Sequence, residues 1–148
     1  MSLVVGTNSY ASVAEADAYL SDRIGSSAWF ALPESSVTPG AETKEAYLVS
    51  AYNWLIGSPI LDVPATGDDP NLKAGQIESA LYLLENYDTM KIRRAIQAQG
   101  VSAYTLSKKS ETFKDNGKGS EIPDYILGIL KSYRTLGSFV LLEGDYDV

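Results

Sequence analysis

The chain contains neither cysteine nor histidine among its 148 residues. Without these side chains there are no disulfides, no Cys/His zinc site and no haem site with a histidine ligand, so an apolar core must hold the fold together. The chain is long enough to form such a core, because a domain of about 150 residues buries roughly 68–70% of its unfolded surface. The same absences exclude thiolate nucleophiles and Ser-His-Asp triads, so we expect a protein without catalytic residues or cofactors.

The first residues of the sequence are not typical of a targeting segment, and we expect none. Residues 1–6 carry no basic side chain, and their apolar run is too short for a secretory signal. No apolar run elsewhere approaches the ~18–20 residues of a membrane span. We therefore expect one soluble domain over residues 1–148 that contacts no membrane, with an extended N-terminus at 1–11 and a frayed acidic tail at 143–148.

Charge is divided unevenly along the chain, whose formal net charge is −7. Residues 1–90 contain three basic and twelve acidic side chains, whereas residues 91–118 contain seven basic and two acidic ones. Opposite potentials on two parts of one chain favour docking between proteins, because they steer association. The alternative is a solvated basic hairpin without a partner, and the sequence leaves both open.

The first helix is predicted at Val13–Arg23. Ser12 and Glu15 have the spacing of a capping box, in which each side chain bonds the backbone N–H of the other residue. Apolar residues then recur every three or four positions and define one face, with Asp17 and Asp22 on the solvated side. This apolar face consists of Val13, Ala16, Leu20 and Ile24.

The second helix is predicted to run from Glu42 or Thr43 to Leu55. The loop before it carries the adjacent aromatic residues Trp29 and Phe30, which we expect to fold back into the core. The helix has a broad apolar surface, wide enough to be covered on two sides. That surface consists of Tyr47, Leu48, Ala51, Tyr52, Trp54 and Leu55.

The third helix is predicted to start with Asp69 at the N-cap and Pro70 at the first position, and to run to about Tyr87. Gly75 in its second turn costs ~1 kcal/mol relative to alanine, which close packing against a neighbour would explain. The predicted apolar face consists of Ile77, Ala80, Leu81 and Leu84, and the predicted solvated side of Lys73, Gln76, Glu78 and Glu85.

Residues 90–115 combine two patterns. Residues 101–106 alternate as in a strand. Helical spacing instead relates Ile92, Ala95, Ile96 and Gln99. We interpret this part as a β arm with strands at Lys91–Gln97 and Ser102–Lys108.

The last helix is predicted from Ser120–Pro123, which supplies a proline in the first turn, to about Leu142. Together these elements predict a mainly α fold. It is a small bundle of about four helices, with a two-stranded β arm or an extended loop between the third and fourth.

Two patterns resemble chemical sites. Asp62, Asp68 and Asp69 could group around Ca²⁺ or Mg²⁺, whose ligands are oxygens, but the EF-hand spacing is absent and turns with a helix cap explain the acids better. The run Asn116–Ser120 lacks the upstream glycine and the Lys-[ST] pair of a phosphate loop. A carboxylate-dependent hydrolase built on the acids at 62–69 is the least favoured hypothesis.

Residues 8–23, NSYASVAEADAYLSDR, resemble the start of a protein family of tailed bacteriophages and prophages. In that family a SYxSVAEADAYxADR run precedes an Ala-Trp step, which corresponds to Ala28 and Trp29, and a KEAAL helix, which corresponds to Lys44–Leu48. The resemblance is motif-specific over residues 8–55 and continues in element order through most of the chain. The family comprises head–tail connector (adaptor, head-completion) proteins, and related sequences also carry a DnaT-like single-stranded-DNA-binding description.

The resemblance implies a structural subunit that assembles as a ring below the portal and contacts portal and tail or neck proteins. It also implies that the long segment between the third and fourth helices contacts neighbouring subunits or the DNA channel. It also implies a place in the bacterial host cytoplasm during assembly and then in the virion neck, or a prophage origin. The alternative is a single-stranded-DNA-binding accessory protein, in which Tyr104 stacks on a base and basic side chains contact phosphates. In that role the phosphate contacts are expected from Arg93, Arg94, Lys108 and Lys109. The expected partner or subunit contact residues are Lys91, Arg93, Arg94, Tyr104, Lys108, Lys109, Lys114 and Lys118.

Overall fold

The computed structural model describes residues 2–98 and 122–135, with residues 92–98 described by their backbone alone. Within these ranges the regular structure is helical, and β pairing is limited to two isolated bridges. The mainly helical class predicted from the sequence is therefore confirmed. The helices are α1 (Val13–Ser21), α2 (Ser27–Phe30), α3 (Lys44–Ile56), α4 (Pro70–Ala98) and α5 (Asp124–Ile129), followed by a 3₁₀ helix at Lys131–Tyr133.

Helix α1 begins as predicted. Ser12 Oγ accepts the Glu15 N–H at 3.1 Å and Glu15 Oε1 accepts the Ser12 N–H at 2.9 Å, so the capping box is confirmed. The helix ends at Ser21, before the predicted Arg23, and the chain then turns through a glycine with a φ of +88°. Ile24 consequently lies outside the helix and is 94% exposed, so its assignment to the apolar face is wrong.

The loop after α1 contains the short helix α2. Trp29 in this helix is fully buried, as predicted, and its indole Nε1 donates to Asp17 Oδ1 at 2.8 Å. Phe30 is 43% exposed, so the prediction of a core position is wrong for this ring. Asp17 is half-buried rather than solvated, because Lys44 Nζ also donates to its carboxylate at 3.0 Å.

Helix α3 is shared between two apolar clusters, which confirms that its surface is covered on two sides. Its Thr43 cap accepts the Ala46 N–H at 3.0 Å, as the predicted start requires. One cluster, which contains Leu48, includes residues of α1, α2 and α4. The other cluster, which contains Leu55, includes residues of α4 and α5. Trp54 packs against both.

Helix α4 is the central element of the fold. It runs for 29 residues from Pro70 to Ala98, which corresponds to about 43 Å at 1.5 Å per residue. Its predicted start is confirmed, because Asp69 Oδ1 accepts the Asn71 N–H at 2.9 Å, but its predicted end at Tyr87 is wrong. Despite this length, neither α4 nor another helix in the described ranges is apolar enough to cross a membrane.

The first strand of the predicted β arm, Lys91–Gln97, is wrong, because these residues continue α4. Extending an existing helix adds one hydrogen bond for each residue fixed, whereas an isolated two-stranded hairpin is marginal in water. The helical spacing therefore prevails over the strand interpretation. The second predicted strand, Ser102–Lys108, lies outside the described residues.

Helix α5 is much shorter than predicted. It ends at Ile129 and, after the 3₁₀ helix, the chain is extended at Arg134, so the predicted continuation toward Leu142 is wrong at this point. The extended backbone pairs with the loop after α3, where Leu61 and Arg134 form an antiparallel bridge. The remainder of the predicted helix, 136–142, lies outside the described residues.

Candidate interaction surface

Gln76 on α4 is fully buried, although the sequence predicts a solvated side chain. Its Oε1 accepts the backbone N–H groups of Tyr10 and Ala11 at 2.9 and 3.0 Å. Its Nε2 donates to Ser9 Oγ at 2.7 Å and to Leu48 O at 2.8 Å. All four hydrogen-bonding positions of the amide are thereby used. This side chain joins the N-terminal segment and α3 to α4.

Glu78 is also buried, with 5% of its surface exposed, although the sequence predicts a solvated side chain. Its carboxylate accepts from Arg23 Nε at 2.8 Å and from the Tyr19 hydroxyl at 2.8 Å. The pKa of Tyr19 is raised to about 12, mainly by burial and to a smaller extent by its hydrogen bond to Glu78. Both errors have the same cause, since α1, α2, α3 and α5 all pack on α4 and no residue between Gly75 and Leu83 is exposed.

The aspartates of the loop after α3 serve the fold. Asp69 caps α4 and accepts a hydrogen bond from the Tyr133 hydroxyl, which lowers the pKa of this carboxyl. Asp68 lies 3.5 Å from Lys73 Nζ, and Asp62 is exposed. Within residues 2–98 and 122–135 no three acidic side chains lie close enough together to hold a metal ion. The helix-cap interpretation is therefore confirmed for Asp69.

The predicted contact residues begin on the last turns of α4. Lys91 is exposed, and its Nζ lies 5.3 Å from the centre of the Tyr87 ring. Arg93 and Arg94 follow on the same helical backbone. Helix α4 thus begins in the acidic body, which we define as residues 1–90, and continues into the start of the basic segment, residues 91–118. The other predicted contact residues lie outside the described ranges: Tyr104, Lys108, Lys109, Lys114 and Lys118.

A groove lies beside the start of the basic segment, between the loop 36–43, α3 and α4. Its volume is about 730 Å³, within the range of natural ligand sites. Helix α4 contributes Leu83 and Tyr87. The residues from α3 recur at intervals of three or four positions and therefore share one face. They are Ala46, Tyr47, Ser50, Asn53 and Trp54, and the N-cap residue Thr43 continues the row.

Aromatic side chains form the walls of this groove. The Trp54 ring stacks on Tyr82, with centroids 6.0 Å apart and planes at 14°. The Tyr47 hydroxyl donates to Glu42 Oε1 at 2.7 Å, and burial together with this hydrogen bond raises the pKa of Tyr47. Tyr87 forms part of the α4 wall and is 43% exposed. The groove thus combines apolar walls with a carboxylate at its rim.

The sequence gives little indication of this groove. Its loop wall and its α4 wall are far apart in the chain and meet only because α3 packs on α4. The one available signal is the pair Ser50 and Asn53, two exposed polar residues beside the apolar surface of α3. In an otherwise apolar helix, such residues indicate where neighbouring elements leave the surface uncovered.

Comparison with known proteins identifies no relative. No family model, no curated protein and no solved structure matches this chain.

Proposed function

We propose that the chain is a non-enzymatic assembly subunit, a head–tail connector of a tailed bacteriophage or prophage. In this role it is made in the host cytoplasm, docks on the portal protein as a ring of identical copies, and joins the capsid to tail or neck proteins. The observation that supports it most directly is the division of charge between an acidic body, residues 1–90, and a basic segment that begins on the last turns of its central helix. The motifs within residues 8–55 support the connector role specifically.

The charge division favours a particular kind of assembly. When the two complementary parts of a subunit are different, one copy presents its basic segment to the acidic body of the next. Such head-to-tail contacts close into a ring when the rotation between neighbours permits closure. The buried polar side chains Gln76 and Glu78 are engaged within the fold, which is consistent with a structural part.

A single-stranded-DNA-binding accessory protein is the second candidate. The excess of basic residues in 91–118, with Tyr104 and Phe113 between them, favours it. The twelve acidic side chains of residues 1–90 disfavour it, because phosphates are repelled by an acidic body. Binding of an oligonucleotide at low salt that is lost as salt rises would favour this candidate over the connector.

Light scattering of the full chain tests the connector proposal. We expect an average mass that rises above 16.0 kDa with concentration in about 0.05 M salt and falls back in about 0.5 M salt, because screening weakens the contact between opposite charges. The double variants Arg93→Glu/Arg94→Glu and Lys108→Glu/Lys109→Glu are each expected to remain near the mass of one chain.

The matched control is Lys131→Glu/Arg134→Glu, which changes the net charge equally at two exposed positions outside the basic segment. This control is expected to associate like the unaltered chain. Thermal unfolding checks that each variant is folded. A strict monomer at every concentration and salt, with and without a portal ring, would contradict the connector proposal.

A further inference from the structure

The groove between the loop 36–43, α3 and α4 has open apolar walls. Val37 in the loop wall is fully exposed, and Tyr87 is partly so. Exposed apolar surface rimmed by polar groups marks sites of interaction. Along α3, from Thr43 to Trp54, the groove extends about 17 Å at 1.5 Å per residue, which is the length of about five extended residues. The shape therefore suits a short extended peptide.

Two carboxylates, Glu42 and Asp88, lie at the groove, and Lys91 lies next to Tyr87 on its α4 side. Glu42 lines the groove and accepts from the Tyr47 hydroxyl through Oε1, and no described residue donates to its second oxygen. Asp88 is exposed on α4, next to Tyr87, and its negative charge contributes to the raised pKa of Tyr47. A cationic side chain entering the groove would meet a carboxylate and the faces of aromatic rings.

The chain itself contains a lysine bound in this way. Lys44 Nζ donates to Asp17 Oδ1 at 3.0 Å and lies 5.9 and 5.2 Å from the ring centres of Trp29 and Phe30. An ammonium group within about 6 Å of an aromatic face is attracted by the ring, and a nearby carboxylate adds to this attraction. The groove offers a similar combination, with the Glu42 carboxylate beside Tyr47, and one of its rings, Tyr87, already has the Lys91 ammonium 5.3 Å from its centre.

We propose that this groove binds residues 104–109 of a second copy of the chain, with a lysine ammonium at Glu42. The segment reads YTLSKK, so it has an aromatic and an aliphatic side chain for the walls and two ammonium groups for the acidic rim. The inference rests on the proposed self-assembly and names the surface that carries it. Because groove and segment are different parts of the chain, each copy binds two neighbours, head to tail.

Two variants each remove one half of this contact. Ser50→Arg fills the centre of the groove with a cation and removes no core contact, since Ser50 is exposed on α3. Lys108→Glu/Lys109→Glu leaves the groove intact and reverses the charge of the segment. Ala18→Arg is the matched control, because it places the same side chain at an exposed helical position outside the groove.

Sedimentation velocity of the full chains provides the test. We expect the unaltered chain and Ala18→Arg to self-associate, and each of the two blocked variants to raise the dissociation constant by about tenfold or more. An equimolar mixture of the blocked variants is expected to form a one-to-one dimer that grows no further. In that mixture the Ser50→Arg chain supplies the intact segment and the Lys108→Glu/Lys109→Glu chain supplies the intact groove.

Three outcomes overturn the inference. In the first, the unaltered chain associates but the mixture of the two blocked variants remains monomeric. In the second, Ser50→Arg associates like the unaltered chain. Either result would mean that the proposed self-assembly uses another surface. Alternatively, Ser50→Arg lowers the melting temperature of a chain that is monomeric throughout, which would mean that the groove is filled by its own segment. An unaltered chain that stays monomeric at every concentration and salt, with and without a portal ring, contradicts the proposed function as well, so the two failures are distinguishable.

Discussion

Replacing Gln76 with methionine is expected to lower the free energy of unfolding by about 3–5 kcal/mol, because it leaves buried polar groups without partners. Methionine preserves the length and approximate volume of the side chain, so the loss reports hydrogen bonds rather than a cavity. The groups left unsatisfied are the N–H groups of Tyr10 and Ala11 and the carbonyl of Leu48, all fully or nearly fully buried. Urea-induced unfolding measures the change.

The control for this substitution is Glu85→Met on the same helix. Glu85 is exposed, as predicted from the sequence, so its replacement is expected to change stability by no more than about 0.5 kcal/mol. If Gln76→Met loses less than about 1 kcal/mol, the amide does not hold the N-terminal segment and α3 against α4 as described.

Replacing Gly75 with alanine is expected to destabilise the protein by about 1–3 kcal/mol, although alanine is the better helix former by about 1 kcal/mol. A Cβ at this position would lie 2.7–2.9 Å from three side-chain carbons of Leu130. Leu130 is fully buried in the cluster that joins α4 to α5, so it has little room to move. Thermal and urea-induced unfolding measure the change.

A second glycine supplies the control. Gly128 lies in α5, where an added Cβ would meet no atom within 4 Å, so Gly128→Ala is expected to stabilise the protein by about 0.5–1 kcal/mol. Leu130→Ala should reduce the cost of Gly75→Ala, since it removes the atoms that clash. Equal and favourable effects of alanine at both glycines would show that α5 does not pack on α4 at Gly75.

The helix starts could be predicted from the sequence because they depend on local chemistry. Ser12 with Glu15, and Asp69 before Pro70, each satisfy backbone N–H groups within one turn, and both predicted caps are confirmed. Thr43, one of the two predicted starting residues of α3, is the N-cap of that helix. Helix ends depend more on the tertiary contacts of the next segment. Helix α5 ends early because its extension pairs with the loop at Leu61, a contact between residues distant in sequence.

Burial on α4 could not be predicted from periodicity alone. Hydrophobic periodicity assigns the polar residues of a helix to one solvated face. Gln76 and Glu78 are polar, so the pattern assigns them to that face. Four other helices pack on α4, so these residues are buried and their polar groups bind partners inside the fold. The close packing suggested for Gly75 is confirmed, because this approach to Leu130 leaves no space for a side chain.

Some features of the candidate surface could be predicted from the sequence, and others arise only from the fold. The charge excess of the basic segment, residues 91–118, is a property of the sequence, and the structure adds that its first residues, Lys91 to Ala98, are helical. The groove is a property of the fold, since Val37, Tyr47 and Tyr87 come from three separate elements. The charge of a candidate surface can therefore be predicted from the sequence more readily than its shape.

Electron microscopy of the concentrated, unaltered chain tests the central claim most directly, because it shows whether copies join head to tail and close. The connector account predicts closed rings with a central channel at low salt, and their absence in the Lys108→Glu/Lys109→Glu variant. Single particles of 16.0 kDa at every concentration, or two-fold dimers that grow no further, would contradict it.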